Sequence, residues 1–361
     1  MRKKRILVAP LDWGLGHATR CIPIIQALIE RNAEVILAAD ERPAQLLKKE
    51  FPELRHVRYP GYGMHYPVNG NMAWSMFRQL PKLFRGISEE HHMLARIIDE
   101  ERIDAVISDN RWGAYSPKIP SIYVVTQLRV LMSSYLWWGQ SIVDKANQRM
   151  ISYFNEIWIP DVDSPDNILG DLAPRSLAHE RTYYIGTLSR MKRVEPKKKQ
   201  LDILVILSGL EPQRTVLEEL IIHQLKATTL RAVVVRGTPE VNESIDLTDT
   251  LTVVSAMTAD QLSNAIASAH LVVARSGHST IMDLSHLGTN AVFIPTPQQT
   301  EQEYLARRLK AQRICYSEPQ ESFSLTRAVD HASSYTGFPQ RKNDPAILHQ
   351  RIDSLLSKIS L

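Results

Sequence analysis

Cysteine is nearly absent from this chain. Cys21 and Cys315 are the only two in 361 residues, and two residues so far apart make neither a disulfide framework nor a four-cysteine zinc site. The usage suits a reducing, cytoplasmic setting. Charge of one sign is also missing. A formal net charge of +4 excludes a nucleic-acid binder that works by bulk charge. The local clusters Arg190-Met-Lys192-Arg193 and Lys197-Lys198-Lys199 read as solvated loops. Long hydrophobic runs are lacking as well: no window approaches the ~18 apolar residues of a membrane span. The opening MRKKRILVAPLDWG has the basic-then-apolar outline of a secretory signal. Its apolar run from Ile6 to Ala9 ends at Pro10 and Asp12, too early for one.

What is present is ordinary globular material, 44% hydrophobic and 23% charged, in a chain long enough for two domains at roughly 100–200 residues each. Short apolar runs alternate with helical spacing. Ile6–Ala9 reads as a strand buried on both faces, followed by a helix with Cys21, Ile24, Ile25 and Leu28 inward. EVILAAD, DAVISD and SIYVVT are further strands, with helices over Ala44–Phe51 and Glu89–Glu101. In the second half LDILVILSG, RAVVVRG, LTVVSA, HLVVARS and NAVFIP are strands, and Thr258-Ala-Asp-Gln261 has the form of a capping box. The pattern predicts an α/β fold of two Rossmann-like, doubly wound parallel-sheet domains facing a cleft. The expected boundaries are 1–160 and 175–344, with a linker over Ile159–Pro174 and a last helix over about 345–361 that returns to the first domain.

Ligands of such sheets bind beyond the carboxyl ends of the strands, and three motifs fall there. Gly14-Leu-Gly16-His17 follows the first strand. The glycines let the backbone approach a ligand, and His17, with an ordinary imidazole pKa of ~6.5, suits a general base. A dinucleotide fingerprint needs Gly or Ala where Thr19 stands, although Asp40 imitates the ribose-binding acid of nicotinamide enzymes. Ser276-Gly277-His278-Ser279-Thr280 ends a strand and starts a helix, whose amides and dipole favour a phosphate. Asp283, one turn further on, suits two vicinal ribose hydroxyls; as a plain first-turn acid it would only complement the helix dipole. Ser208, Gly209 and Arg214 form a third loop apt for a diphosphate, Ser255–Thr258 with Met257 can bracket a base, and Gln298–Gln302, with Gln299 and Gln302, offers amides for sugar hydroxyls.

Together these motifs resemble glycosyltransferases with two Rossmann domains (GT-B type), in particular the superfamily of the peptidoglycan lipid-intermediate N-acetylglucosaminyltransferase and the monogalactosyldiacylglycerol synthases. The resemblance rests on Gly14-Leu-Gly16-His17, on Ser276–Thr280 with Asp283 where Glu is usual, and on the Gln298–Gln302 loop. The chain departs from the family at LSGLEPQR, which replaces a Gly-Gly-Ser loop, and at Ala306, where Asn is common. The resemblance implies a hexosyltransferase that moves a sugar, with inversion, from a nucleotide sugar, UDP-linked by preference, to a lipid, glycan or small-molecule hydroxyl. His17 would be the base. The Gly277 helix and the Gly209 turn would neutralise the leaving diphosphate, so that no cofactor or metal is expected. Asp161-Val-Asp163 has the letters of a metal-binding Asp-x-Asp but sits in the expected linker.

Two other readings stand beside this one. Gly14-Leu-Gly16-His17-Ala-Thr-Arg20 also resembles nucleotide-sugar hydrolases of the same fold, where the base activates water. A silent nucleotide-sugar-binding protein is the third. The acceptor is expected on the first domain at Asp109, Asn110 and Arg111. Trp74, Phe77, Leu80, Phe84 and Ile87 share one face beside Arg78, Lys82 and Arg85, with Pro81 expected to interrupt any long helix. Such a stripe suits peripheral contact with the inner membrane face.

Overall fold

A computed structural model describes residues 2–64, 72–132, 138–195, 198–339 and 344–359. The chain forms two units. One contains Met1–Met64, Ala73–Leu188 and Asn343–Leu361; the other is built from Ser189–Lys342.

The first unit holds a seven-stranded sheet of β1 (Arg5–Pro10), β2 (Glu34–Ala39), β3 (Arg55–Arg58), β4 (Ala105–Asp109), β5 (Ser121–Val124), β6 (Glu156–Ile159) and β7 (Thr182–Tyr184). Their order is β3-β2-β1-β4-β5-β6-β7, and every pairing is parallel. Helices on both faces explain why β1 is apolar after Arg5: Ile6, Leu7, Val8 and Ala9 are fully buried. The helices are α1 (Leu15–Glu30), α2 (Glu41–Glu50), α3 (Met72–Glu101) and α4 (Gln140–Ile151).

The second unit repeats the design with β8 (Leu201–Ile206), β9 (Ala232–Val235), β10 (Ser244–Thr248), β11 (Leu251–Val254), β12 (Ala269–Ala274), β13 (Ala291–Phe293) and β14 (Tyr316–Ser317). Their order is β10-β11-β9-β8-β12-β13-β14, parallel except for the antiparallel edge strand β10. Between them run α5 (Gln213–Lys226), α6 (Ala259–Ser268), α7 (His278–Leu287), α8 (Thr300–Ala311) and α9 (Leu325–Ala332). The capping box forms at α6, with Thr258 and Gln261 bonded reciprocally. α7 stops at Gly288, which is left-handed at φ 70°. The last helix, α10 (Pro345–Lys358), belongs to the first unit. It buries Leu348, Ile352 and Leu355, pairs Asp353 with Arg31 and sets Lys358 2.5 Å from Glu156.

Two expectations need correction. Residues 159–174 are not a linker. Asp161 is fully buried and its carboxylate accepts the backbone N–H groups of Val162 and Leu169, both at 2.8 Å. β7 then extends the first sheet, so the units meet in sequence at Leu188 and Ser189. Pro81 does not interrupt the helix either; α3 runs through it for 30 residues. Among the described residues no helix is long and apolar enough to cross a membrane.

Candidate active site

In each sheet the chain leaves its first strand in one direction and later returns to that strand's other side. Such a switch point opens a crevice at the carboxyl edge. In the first unit it lies between β1 and β4, where Pro10 pairs with Asp109. Gly14, at φ +90°, caps α1, and nothing lies within 4 Å of where a Cβ would stand. Only glycine takes that conformation without strain. The helix starts at Leu15, which places Gly16 in its first turn and His17 above the end of β4.

His17 Nδ1 lies 2.8 Å from Asp109 Oδ1. The imidazole is 15% exposed and the carboxylate not at all. Behind them Arg20, one turn along α1, grips the same carboxylate with two nitrogens, Nε at 2.5 Å from Oδ2 and Nη2 on Oδ1. The Cys21 thiol points at Oδ2 from 3.6 Å. Burial and then the Arg20 charge hold His17 below the ordinary imidazole value, against the pull of Asp109 and Asp12. For Asp109, burial alone would raise its pKa, but Arg20 and His17 prevail and keep it below the usual carboxylate value. The product is a neutral imidazole on a buried, fully bonded carboxylate.

Asp109 therefore orients His17 and does not meet an acceptor as expected. Arg111 is also corrected. It is fully buried, with Nε 2.5 Å from Glu90, Nη1 on the carbonyls of Pro10 and Tyr59, and its guanidinium 4.0 Å from the Tyr59 ring. Asn110 is left-handed at φ 58° and accepts the Tyr123 hydroxyl at 3.1 Å. The turn at Asn110 sends its two neighbours to different partners, which the sequence motif could not show.

The same crevice carries groups that sequence reasoning missed. Trp13, Tyr62 and Trp112 form an aromatic row, with centroids 6.3 and 6.4 Å apart, packed with Leu11, Met64, Leu83 and Ile87. The Tyr62 hydroxyl accepts the Trp112 backbone N–H and donates to Glu90. Among the described residues Asp12 Oδ1 and both indole nitrogens, Trp13 Nε1 and Trp112 Nε1, are buried without a hydrogen-bond partner. Each such group costs about 1–3 kcal/mol, and three in two adjoining loops suit a polar ligand.

In the second unit the switch point lies between β8 and β12. Gly209, at φ +106°, faces open space after β8, as does Gly277 after β12; Ser208 is half-buried beside it. α7 begins at His278, so its first-turn amides, those of His278, Ser279 and Thr280, have no partners inside the helix. The His278 ring itself is buried, 2% exposed. Ser276 is buried and donates to the Gln302 carbonyl at 2.8 Å. Gln299 caps α8 through the Gln302 backbone N–H, and the Gln302 side chain accepts from Thr296. The two glutamine oxygens thus shape the loop. Met257 is half-buried after β11.

Arg214 departs from expectation. Its guanidinium lies 2.6 Å from Glu211 and 2.7 Å from Glu218, and Glu218 also meets Arg236 at 2.7 Å. Two carboxylates already hold the cation proposed for a diphosphate. Asp283 accepts the Ser189 hydroxyl at 2.6 Å. Burial raises its pKa to about 6, opposed by the Arg190 charge, the Ser189 hydroxyl and the Arg190 backbone. Among the described residues no three His, Cys, Asp or Glu are grouped to hold a metal.

Residues 210–354 match the model of the glycosyltransferase family 28 C-terminal domain. The UDP-N-acetylglucosamine–N-acetylmuramyl-(pentapeptide) pyrophosphoryl-undecaprenol N-acetylglucosamine transferase of Methylobacterium nodulans is 36% identical over 78 residues, 21% of this chain and 21% of that one. The chain thus spans about a fifth of that curated relative's length. MurG of Acinetobacter baumannii superposes with a TM-score of 0.58 at 14% identity, covering 98% of this chain and 99% of its own. CalG4, the calicheamicin glycosyltransferase, gives 0.64 at 13% identity over all of both chains. The protein therefore has the two-sheet GT-B fold of these glycosyltransferases and resembles the MurG family.

Proposed function

We propose that the chain is a glycosyltransferase that moves a hexose from a nucleotide sugar, UDP-linked, to a hydroxyl acceptor, with inversion and without a metal. The observation that carries this is the neutral His17 on buried Asp109 at the carboxyl edge of β1, beside the open face of Gly14. With Nδ1–H given to Asp109, the Nε2 lone pair takes the acceptor's proton as its oxygen attacks the anomeric carbon. Displacement from the face opposite the diphosphate inverts that carbon. In the second unit the α7 amides take up the departing charge, and Asp283 holds the ribose hydroxyls. The UDP-N-acetylglucosamine named for the Methylobacterium nodulans relative supports the choice of nucleotide. Trp13 and Trp112, with their unpartnered indole N–H groups, and Tyr62 between them replace Arg111 as the acceptor-binding residues.

Water in place of the acceptor would make the same pair a nucleotide-sugar hydrolase, and the Arg20 position of the hydrolase motif is engaged here. Product analysis separates the readings: sugar on an acceptor, free sugar with nucleotide, or no turnover. The principal test is His17→Ala. It is expected to lower turnover at least 10²-fold, the range of general-base contributions, while calorimetric titration with uridine diphosphate still shows binding and NAD gives none. Near-normal turnover sinks the base assignment; binding of NAD instead of uridine diphosphate sinks the transferase.

A further inference from the structure

The His17–Asp109 contact has an unusual third member. A histidine on a bare buried carboxylate gains affinity for protons, because the negative charge stabilises imidazolium. Here that carboxylate carries a twin, charge-assisted bond from Arg20, and Arg20 is itself 4% exposed. The two charges cancel locally. The same Nη2 also stands 2.8 Å from His17 Nδ1, which is as close as Asp109 Oδ1. Nδ1 therefore faces one donor and one acceptor. If it accepts from Arg20, its proton sits on Nε2 and the outward nitrogen cannot act as a base. If it donates to Asp109, the outward nitrogen is free.

Two features favour donation. Asp109 is fully enclosed and receives every donor in reach, Arg20, His17 and the Cys21 thiol. A buried carboxylate of this kind stays ionised only when such bonds are made. The Arg20 nitrogens are already placed on its two oxygens, in the fork geometry of an arginine–carboxylate pair. The other charged group acting on His17 is Asp12, from the loop after β1.

We propose that Arg20 is a positioning residue for His17: it locks Asp109 as the acceptor for Nδ1–H and cancels the carboxylate's charge, so that His17 presents a neutral Nε2 lone pair. This rests on the reading of His17 as the base and adds what makes it one at mildly acidic as well as neutral pH. The spacing is legible in retrospect, because positions 17 and 20 share one helix face.

The test is 15N-histidine NMR of the full chain between pH 5 and 9, with His17 assigned by its loss in His17→Gln. The wild type is expected to show Nδ1-protonated, neutral His17, titrating below free imidazole. Arg20→Met is expected to move that midpoint upward by about 1 unit or more, the usual effect of exposing a neighbouring carboxylate charge, while Arg20→Lys moves it less. Should Arg20→Met not fold, the double variant Arg20→Met, Asp109→Asn removes both charges together and is expected to titrate within about half a unit of wild type, since the cancelled pair leaves no net field. An Nε2-protonated wild type, an unmoved midpoint in Arg20→Met, or a double variant displaced upward by a full unit overturns the proposal. The spectra need no substrate. A chain that turns over no donor fails the transferase reading alone. An unmoved midpoint in Arg20→Met beside an Nδ1-protonated wild type fails the Arg20 proposal alone, and a reversed tautomer in the wild type fails the Arg20 proposal together with the His17 base.

Discussion

At the residue scale, Asp283, the carboxylate proposed for the ribose, is buried at a cost to the fold. Its folded pKa of about 6 exceeds the ordinary 3.8, so the folded chain favours the protonated carboxyl. The associated stability is fully present below pH ~4 and is lost as pH rises through about 6. Two pKa units correspond to about 3 kcal/mol. Ribose hydroxyls donate to an ionised carboxylate, so binding works in the other direction. Uridine diphosphate is expected to bind more tightly as pH rises from 5 to 7. Asp283→Asn should raise the melting temperature at pH 7.5 by several degrees, since 1 kcal/mol is worth about 2–4 °C in a domain of this size. The same variant should weaken nucleotide binding at least tenfold. Calorimetry and a melting scan check both; a variant that melts lower, or binds as before, removes Asp283 from the ribose site. The strand-to-helix turns that precede His17 and Asp283 were legible, because a glycine follows an apolar strand at Gly14 and at Gly277; His17 is the third residue of α1 and Asp283 the sixth of α7. Partners were not legible. Asp109 and Arg111 are neighbours in the text, yet the left-handed Asn110 between them sends one to His17 and the other to Glu90, a distance of 21 residues in sequence. No local pattern announces that divergence.

At the element scale, α3 is the longest helix described and changes character along its length. Its C-terminal part buries Leu94, Ile97 and Ile98 against the first sheet. Its N-terminal part leaves Trp74, Phe77 and Phe84 61%, 61% and 62% exposed, with Trp74 and Phe77 stacked 5.7 Å apart. The apolar spacing was visible in the sequence; its continuity was not, because a proline inside a helix costs ~3 kcal/mol and the expected break falls at Pro81. The sheets' outer strands were illegible for a related reason. β10 is exposed and polar apart from Ile245 and Leu247, so it lacks the apolar run that marks a buried strand. An exposed aromatic stripe bearing Arg78, Lys82 and Arg85 fits peripheral contact with an anionic membrane surface. The double variant Phe77→Glu, Phe84→Glu alters side chains that pack on nothing extensive, so it is expected to fold with an unchanged melting temperature. It should also lose most of the wild type's co-sedimentation with vesicles containing phosphatidylglycerol. Equal sedimentation of wild type with and without vesicles rejects the membrane contact itself.

For the whole molecule, sequence order and structural order disagree at the C-terminus. The chain completes its second unit and then returns α10 to the first, packing it on α1. The match to the family 28 C-terminal domain runs to residue 354 and so includes most of a helix that belongs to the other unit. Three side chains of α10 lie almost wholly inside, Leu348 at 5%, Ile352 at 0% and Leu355 at 1% exposure. At about 1.5–3 kcal/mol each, they contribute on the order of 5–9 kcal/mol, comparable with the 5–15 kcal/mol that holds a whole domain together. Ion pairs to Arg31 and Glu156 add little by themselves, being partly exposed. Truncation after Lys342 therefore removes much of the first unit's stability and takes nothing from the sheet of the second. The truncated chain is expected to lose its first unit's cooperative melting near room temperature and to retain a separate transition that uridine diphosphate still raises. Turnover is expected to vanish with the first unit, because His17, Asp109 and Arg20 stand on it. If the truncated chain melts as one transition at the wild-type temperature, α10 is an accessory. If uridine diphosphate raises no remaining transition, the nucleotide site does not belong to the second unit alone, and the assignment of the α7 amides and Asp283 falls with it.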